Sequence, residues 1–163
     1  MKTIRNVLVV VFLMLLMASG TWAAGTITGA QYISLDQTAQ VVVYTVTFGA
    51  DASSPADVSL ANIKDANGNS LQSLSGWWLF SFSVFYGATG PTDDTDFYIN
   101  RVVGSLSYDI LGAAGENTID NATDTLRVYP ATVTQILLGT EKMSFSNNLV
   151  NNAVCYILAV YYK

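Results

Sequence analysis

Hydrophobicity in this chain repeats every two residues, and a helical stripe of period 3.6 is hardly ever found after residue 24. Successive side chains of an extended strand point to opposite faces, so a period of two selects sheet. "AQVVVYTVTFG" (39–49) is mostly β-branched and aromatic, as suits a strand covered on both faces or nearly so. "GWWLFSFSVFYG" (76–87) alternates more informatively. One face carries Trp78, Phe80, Phe82, Val84 and Tyr86; the other carries Trp77, Leu79, Ser81, Ser83 and Phe85.

Further runs lie between Gly, Asn, Asp and Pro turn signals: 96–103, 124–130, 132–139, 141–147 and 152–163, with one or two short strands in 25–35. "SPADVSLANIKDANGNSLQSL" (54–74) fits either a short helix through Lys64 or a strand before a turn, and reads best as irregular. The pattern predicts an all-β, mostly antiparallel sandwich of about seven to nine strands, jelly-roll or immunoglobulin-like. Its expected core includes Val42, Tyr44, Val46, Trp78, Phe80, Phe82, Ile99, Val154, Tyr156 and Leu158.

The first residues have the order of an export signal. Lys2 and Arg5 precede an apolar run from Val7 to Met17, and Thr21-Trp22-Ala23 places small residues at −3 and −1 of a cleavage site. The expectation is a signal peptide over 1–23 and a single β-sandwich domain over 24–163. The apolar run is shorter than the roughly 20 residues of a membrane span, so no stable span is expected after cleavage. The protein is then exported, to a periplasm, cell surface or medium.

Beyond residue 23, five basic residues face twelve acidic ones, a net charge of −7. Nucleic acid, which needs clustered Lys and Arg, is not an expected partner. The lone Cys155, inside "AVCYILAVYY", reads as a small buried hydrophobe.

The chain has no histidine, which removes Ser-His-Asp and Cys-His catalysis and imidazole zinc sites. It also has no P-loop and no GxGxxG. A carboxylate pair such as Asp96 with Asp109 is the remaining route to hydrolysis, but aspartates in Gly-rich loops usually bond their own backbone. The chain reads as a non-enzyme without a cofactor.

Asp93, Asp94 and Asp96 in "GATGPTDDTDFYIN" (87–100) are of the type that binds calcium. They read better as a loop leading into a strand at one end of the sandwich, with no tight metal site. "DANGN" (65–69) lacks the later acidic residue of a calcium loop and reads as a tight turn.

If the Trp78 face is core, Trp77, Leu79 and Phe85 form an apolar patch on the opposite face. The patch is expected to meet another copy or a larger assembly, with Trp77 as anchor, unless segment 54–74 folds over it. Stacking of a glycan on Trp77, with loop aspartates as acceptors, is the alternative.

Four segments come in a recognisable order: "FGADASSPADVSL" (48–60), "GATGPTDDTDFYI" (87–99), "YDILGAAGEN" (108–117) and "NLVNNAVCYILAVYY" (148–162). The order resembles that of small virion-associated proteins of tailed phages and prophages. There "TADA", "PGATAPTDNYDI" and "DVLGG" segments precede a closing "VNSATGTVTIYY". The resemblance implies a compact β domain with a structural role, such as a head-decoration, neck or tail component, and no catalytic residues. Tailed phages assemble in the cytoplasm, whereas this chain starts like an exported one. It is therefore expected to be a virion-like structural protein, either adapted to the cell envelope or surface, or tethered by residues 1–23. Its partners would be itself or other assembly proteins. An exported glycan- or surface-ligand-binding module is the alternative.

Overall fold

The structure, a computed structural model, describes residues 24–131 and 136–163. The proposed signal peptide lies outside the described residues, as does the start of the strand expected over 132–139. Nine strands form: β1 (Thr26–Ile33), β2 (Ala39–Thr47), β3 (Val58–Ser59), β4 (Trp78–Tyr86), β5 (Asp96–Val103), β6 (Leu106–Asp109), β7 (Thr125–Val128), β8 (Glu141–Ser146) and β9 (Val154–Tyr162). The only helical element among the described residues is a 3-10 turn, Leu60–Asn62, so segment 54–74 is indeed largely irregular. No helix among the described residues is long and apolar enough to cross a membrane.

The antiparallel pairings nest. Strand β2 pairs with β9, β3 with β8, β4 with β7 and β5 with β6. The chain is thus one long ribbon doubled back at β5–β6. It is rolled until β4 also meets β9 and β5 also meets β8. This winding is a jelly roll, and β1 adds a fifth strand beside β2. The sheets run β1-β2-β9-β4-β7 and β3-β8-β5-β6.

Between the sheets lie Val42, Tyr44 and Val46 of β2, Phe82 of β4, and Phe97 and Ile99 of β5. Each such side chain contributes roughly 1.5–3 kcal/mol when fully buried. Phe82 meets Phe97 from the opposite sheet edge-on, ring centres 5.3 Å apart. Cys155 is buried here, and burial pushes its thiol up to about 12. Toward one end, the Tyr44 and Tyr161 hydroxyls bond each other at 2.9 Å. Nearby Arg101 Nε donates to Glu141 at 2.9 Å, and Glu141 also accepts the Leu138 and Gly139 N–H groups. The pair therefore fastens the connection into β8 to the core.

Half of the expected core is corrected. Trp78, Phe80 and Tyr156 are exposed, and Val154 and Leu158 are half-buried on the outside of their sheet. For β9 the reason is pairing. Val46 lies opposite Cys155, Tyr44 opposite Ile157 and Val42 opposite Ala159. Paired residues share a face, so once β2 turns 42, 44 and 46 inward, β9 must turn 155, 157 and 159 inward.

For β4 the reason is a bulge. Leu79 pairs with Tyr161 and Ser81 with Val160, so Phe80 is an extra residue with no partner across the ladder. Before it, Trp77 and Leu79 point into the core; after it, Phe82 and Val84 do.

Candidate functional site

Two regions hold the residues that the sequence singles out. The first is one end of the roll, where the β2–β3, β4–β5, β6–β7 and β8–β9 connections meet. The Phe48 N–H donates to Ala153 O at 2.9 Å and the Val154 N–H to Thr89 O at 2.8 Å. The Leu149 N–H donates to Thr92 Oγ1 at 2.6 Å, and Asn148 Nδ2 to Ala52 O at 3.2 Å. Stretch 87–100 is the hub of this end, a loop leading into β5, as its composition suggests. Segments 48–60, 87–99, 108–117 and 148–162 all reach this end. A side chain at Gly115 would collide with the Phe97 carbonyl oxygen, so glycine alone fits that crossing.

The three aspartates of the hub do not converge on one point. Asp93 accepts the Asn121 N–H at 3.1 Å, and Asp94 is exposed with φ +65°. Asp96 accepts the Asn117 N–H and the Ser146 hydroxyl, both at 2.9 Å, and the Asn147 amide. Burial favours the neutral acid of Asp96, but these donors outweigh it and hold the pKa below the usual carboxylate value. Asp109 accepts from Ile99, Leu111 and Ala113 N–H groups. Both members of the Asp96–Asp109 pair are thus committed to structural hydrogen bonds, Asp109 to the backbone and Asp96 to one backbone and two side-chain donors. Among the described residues, no group of three or more His, Cys, Asp or Glu is placed to hold a metal. Asp65 of "DANGN" accepts the Asn67 and Asn69 N–H groups at 2.9 and 2.8 Å, closing a turn with Gly68 at φ +85°.

The second region is the outside of the five-stranded sheet, and here the expected patch is corrected. Trp77 is 8% exposed and Leu79 1%, both part of the core, and Phe85 is half-buried. Trp77 sits under the Lys163 ammonium, 5.7 Å from its ring centre, and cannot anchor a partner. The face that does meet solvent is built by pairing. Val41 opposes Val160, and Val43 opposes Leu158 at its centre. Phe85 opposes Tyr156, and Trp78 opposes Tyr162. Trp78 and Phe80 are each 40% exposed, Tyr156 39% and Tyr162 44%. The bulge residue Phe80 meets Tyr129 and Tyr162 edge-on, at 5.4 and 5.1 Å. Strands β1, β2, β4 and β9 contain no Asp, Glu, Lys or Arg.

No family model, curated protein or solved structure matches the chain.

Where this outer face ends at β1, a groove of about 500 Å³ opens, lined by Gln31, Tyr32, Asp65, Asn67, Ser70 and Gln72 among others. Its amides are largely engaged with each other: the Gln72 N–H donates to Gln31 Oε1 at 2.7 Å. The residues that sequence reasoning misses are the exposed ones of β4 and β9. Their only signal is that 156, 158, 160 and 162 are as bulky as the inward set, which leaves β9 without a polar face to mark the outside.

Proposed function

We propose that this protein is a non-enzymatic structural or assembly protein that works through protein–protein contacts. Its setting is virion-like, or adapted to the cell envelope or surface after export. The observation that carries this reading is the outer face of the five-stranded sheet, free of charged residues over β1, β2, β4 and β9, with Val43 and Leu158 at its centre and aromatic rings around them. Antiparallel sheets that face water carry polar outer residues; on the four long strands here these are limited to Thr26, Thr28, Thr45, Thr47, Ser81 and Ser83, set beside the apolar ones. An apolar surface of this extent on a small domain serves contact with another molecule. The jelly roll is compatible with a particle or surface component, though such folds also host unrelated activities.

The test is made in the native host. Fractionation should place the protein with a particle or envelope assembly, and Tyr156→Lys should release it into the free pool as a folded chain. Recovery of unmodified protein wholly as free chains, indifferent to Tyr156→Lys, would sink the reading.

The groove beside β1 supports a second reading, an exported glycan- or surface-ligand-binding module, because it combines amides with the Tyr32 ring. Saccharide-induced quenching of tyrosine fluorescence, lost in Tyr32→Ala, would be its mark.

A further inference from the structure

We infer that the partner of this outer face is a second copy of the same chain, packed sheet against sheet across a twofold axis. This inference rests on the assembly reading above and narrows it to one occupant.

The amount of exposed surface suits a dimer. The six exposed rings of Tyr32, Trp78, Phe80, Tyr129, Tyr156 and Tyr162 are 39–64% exposed. An aromatic side chain offers 150–250 Å². With the half-buried valines and Leu158 between them, the face presents on the order of 800 Å², what each partner of a stable complex contributes. Its layout is that of an interface, with aliphatic side chains at the centre and amphipathic tyrosines around them.

Charge points the same way. Residues close to a twofold axis meet their own copies, so like charges there would repel; the four long strands of this sheet have none, and Arg127 lies on the edge strand β7. A strongly charged partner would find no complement on those four strands.

Growth of this sheet by strand addition is hindered at both of its edges. The Gly29 N–H at the β1 edge is taken by Lys64 O at 2.9 Å, and the Gln31 amide clasps Gln72. The other edge, β7, has only four residues and a register shift. The rings also disfavour a flat saccharide. Phe80 stands at 87° to Tyr129 and 86° to Tyr162, so they form no coplanar platform. Perpendicular rings leave ridges and slots that a second copy of the face can fill.

Sedimentation equilibrium of the protein, purified as its host processes it, tests this. The expected result is a dimer at micromolar concentration. Leu158→Glu at the centre of the face should raise its dissociation constant about a hundredfold or more. Tyr156→Lys, at a position already partly in water, should do the same and covers the case in which Leu158→Glu does not fold. Leu106→Glu, exposed on the other sheet, should leave the dimer intact. A monomer at every concentration overturns the twofold pairing. The assembly reading would survive that result if Tyr156→Lys still releases the protein from its native fraction. A dimer indifferent to Tyr156→Lys, with the variant folded, overturns both.

Discussion

Asp96 holds the loop end of the roll to its strands. It is 5% exposed, pairs with Ser146 across the β5–β8 ladder and accepts the Asn117 N–H from the β6–β7 connection. Its pKa lies below the ordinary 3.8 of a free aspartate. The unfolded chain therefore takes up its proton first as pH falls. The stabilisation is complete above that ordinary value and is lost as pH drops through it and on through the folded value. Asp96→Asn keeps the shape but turns an N–H toward donors, and should cost about 1.5–3 kcal/mol at neutral pH. Urea unfolding from about pH 7 down to about 2.5 should show the gap between the two proteins narrowing with acid. A gap constant with pH would refute this account. The sequence could flag Asp96 as an acidic loop residue, but not the three donors, which come from positions 117, 146 and 147.

At the scale of the element, β4 carries the information that alternation alone cannot hold. A strict period of two from Trp77 to Tyr86 puts Trp78, Phe80 and Phe82 on one face, and both faces are apolar enough for either to be core. The extra residue at Phe80 divides the strand, so each half turns a different parity inward. Leu79→Ala should therefore cost about 2–5 kcal/mol by leaving a cavity. Trp78→Ser, one residue away and larger in volume, should cost less than about 1 kcal/mol in the monomer. Chemical denaturation of the two variants settles the parity, and the reverse ranking would mean that the bulge is elsewhere. Most of the long strands, by contrast, were legible: β5 spans the whole of the run at 96–103, and β8 and β9 fall inside theirs, whereas the described part of the run at 132–139 forms only an isolated bridge at Ile136. The strand β6 was missed, because "LSYD" is short, exposed and too polar to mark itself.

Across the whole molecule the charge is lopsided. The four connections of the loop end contain Asp51, Asp57, Asp93, Asp94, Glu116, Asp120 and Asp124 and no Lys or Arg. The salt bridge Arg101–Glu141 lies toward the other end. Mutual repulsion of these carboxylates is screened by salt over a Debye length of about 8 Å at physiological ionic strength. Raising salt from a few millimolar to about 0.15 M should lift the melting temperature by a few degrees. The double variant Glu116→Gln, Asp124→Asn should respond less. A melting temperature indifferent to salt would show that the loop hydrogen bonds already offset the repulsion.

The sequence by itself determined the class of fold. Period-two runs of β-branched and aromatic residues, broken by turn formers, admit only stacked antiparallel sheets. It also determined that 87–100 is a loop opening into a strand, because Gly, Pro and Asp impose turns locally. The tertiary structure alone decided which of two apolar faces became core. That choice depends on partners far along the chain: Val42 with Ala159, Leu79 with Tyr161 and Ser81 with Val160. A one-residue slip in such a ladder exchanges inside and outside for every side chain beyond it. Trp77 was thereby taken into the core and Trp78 left on the surface, a difference that no property of two adjacent tryptophans encodes.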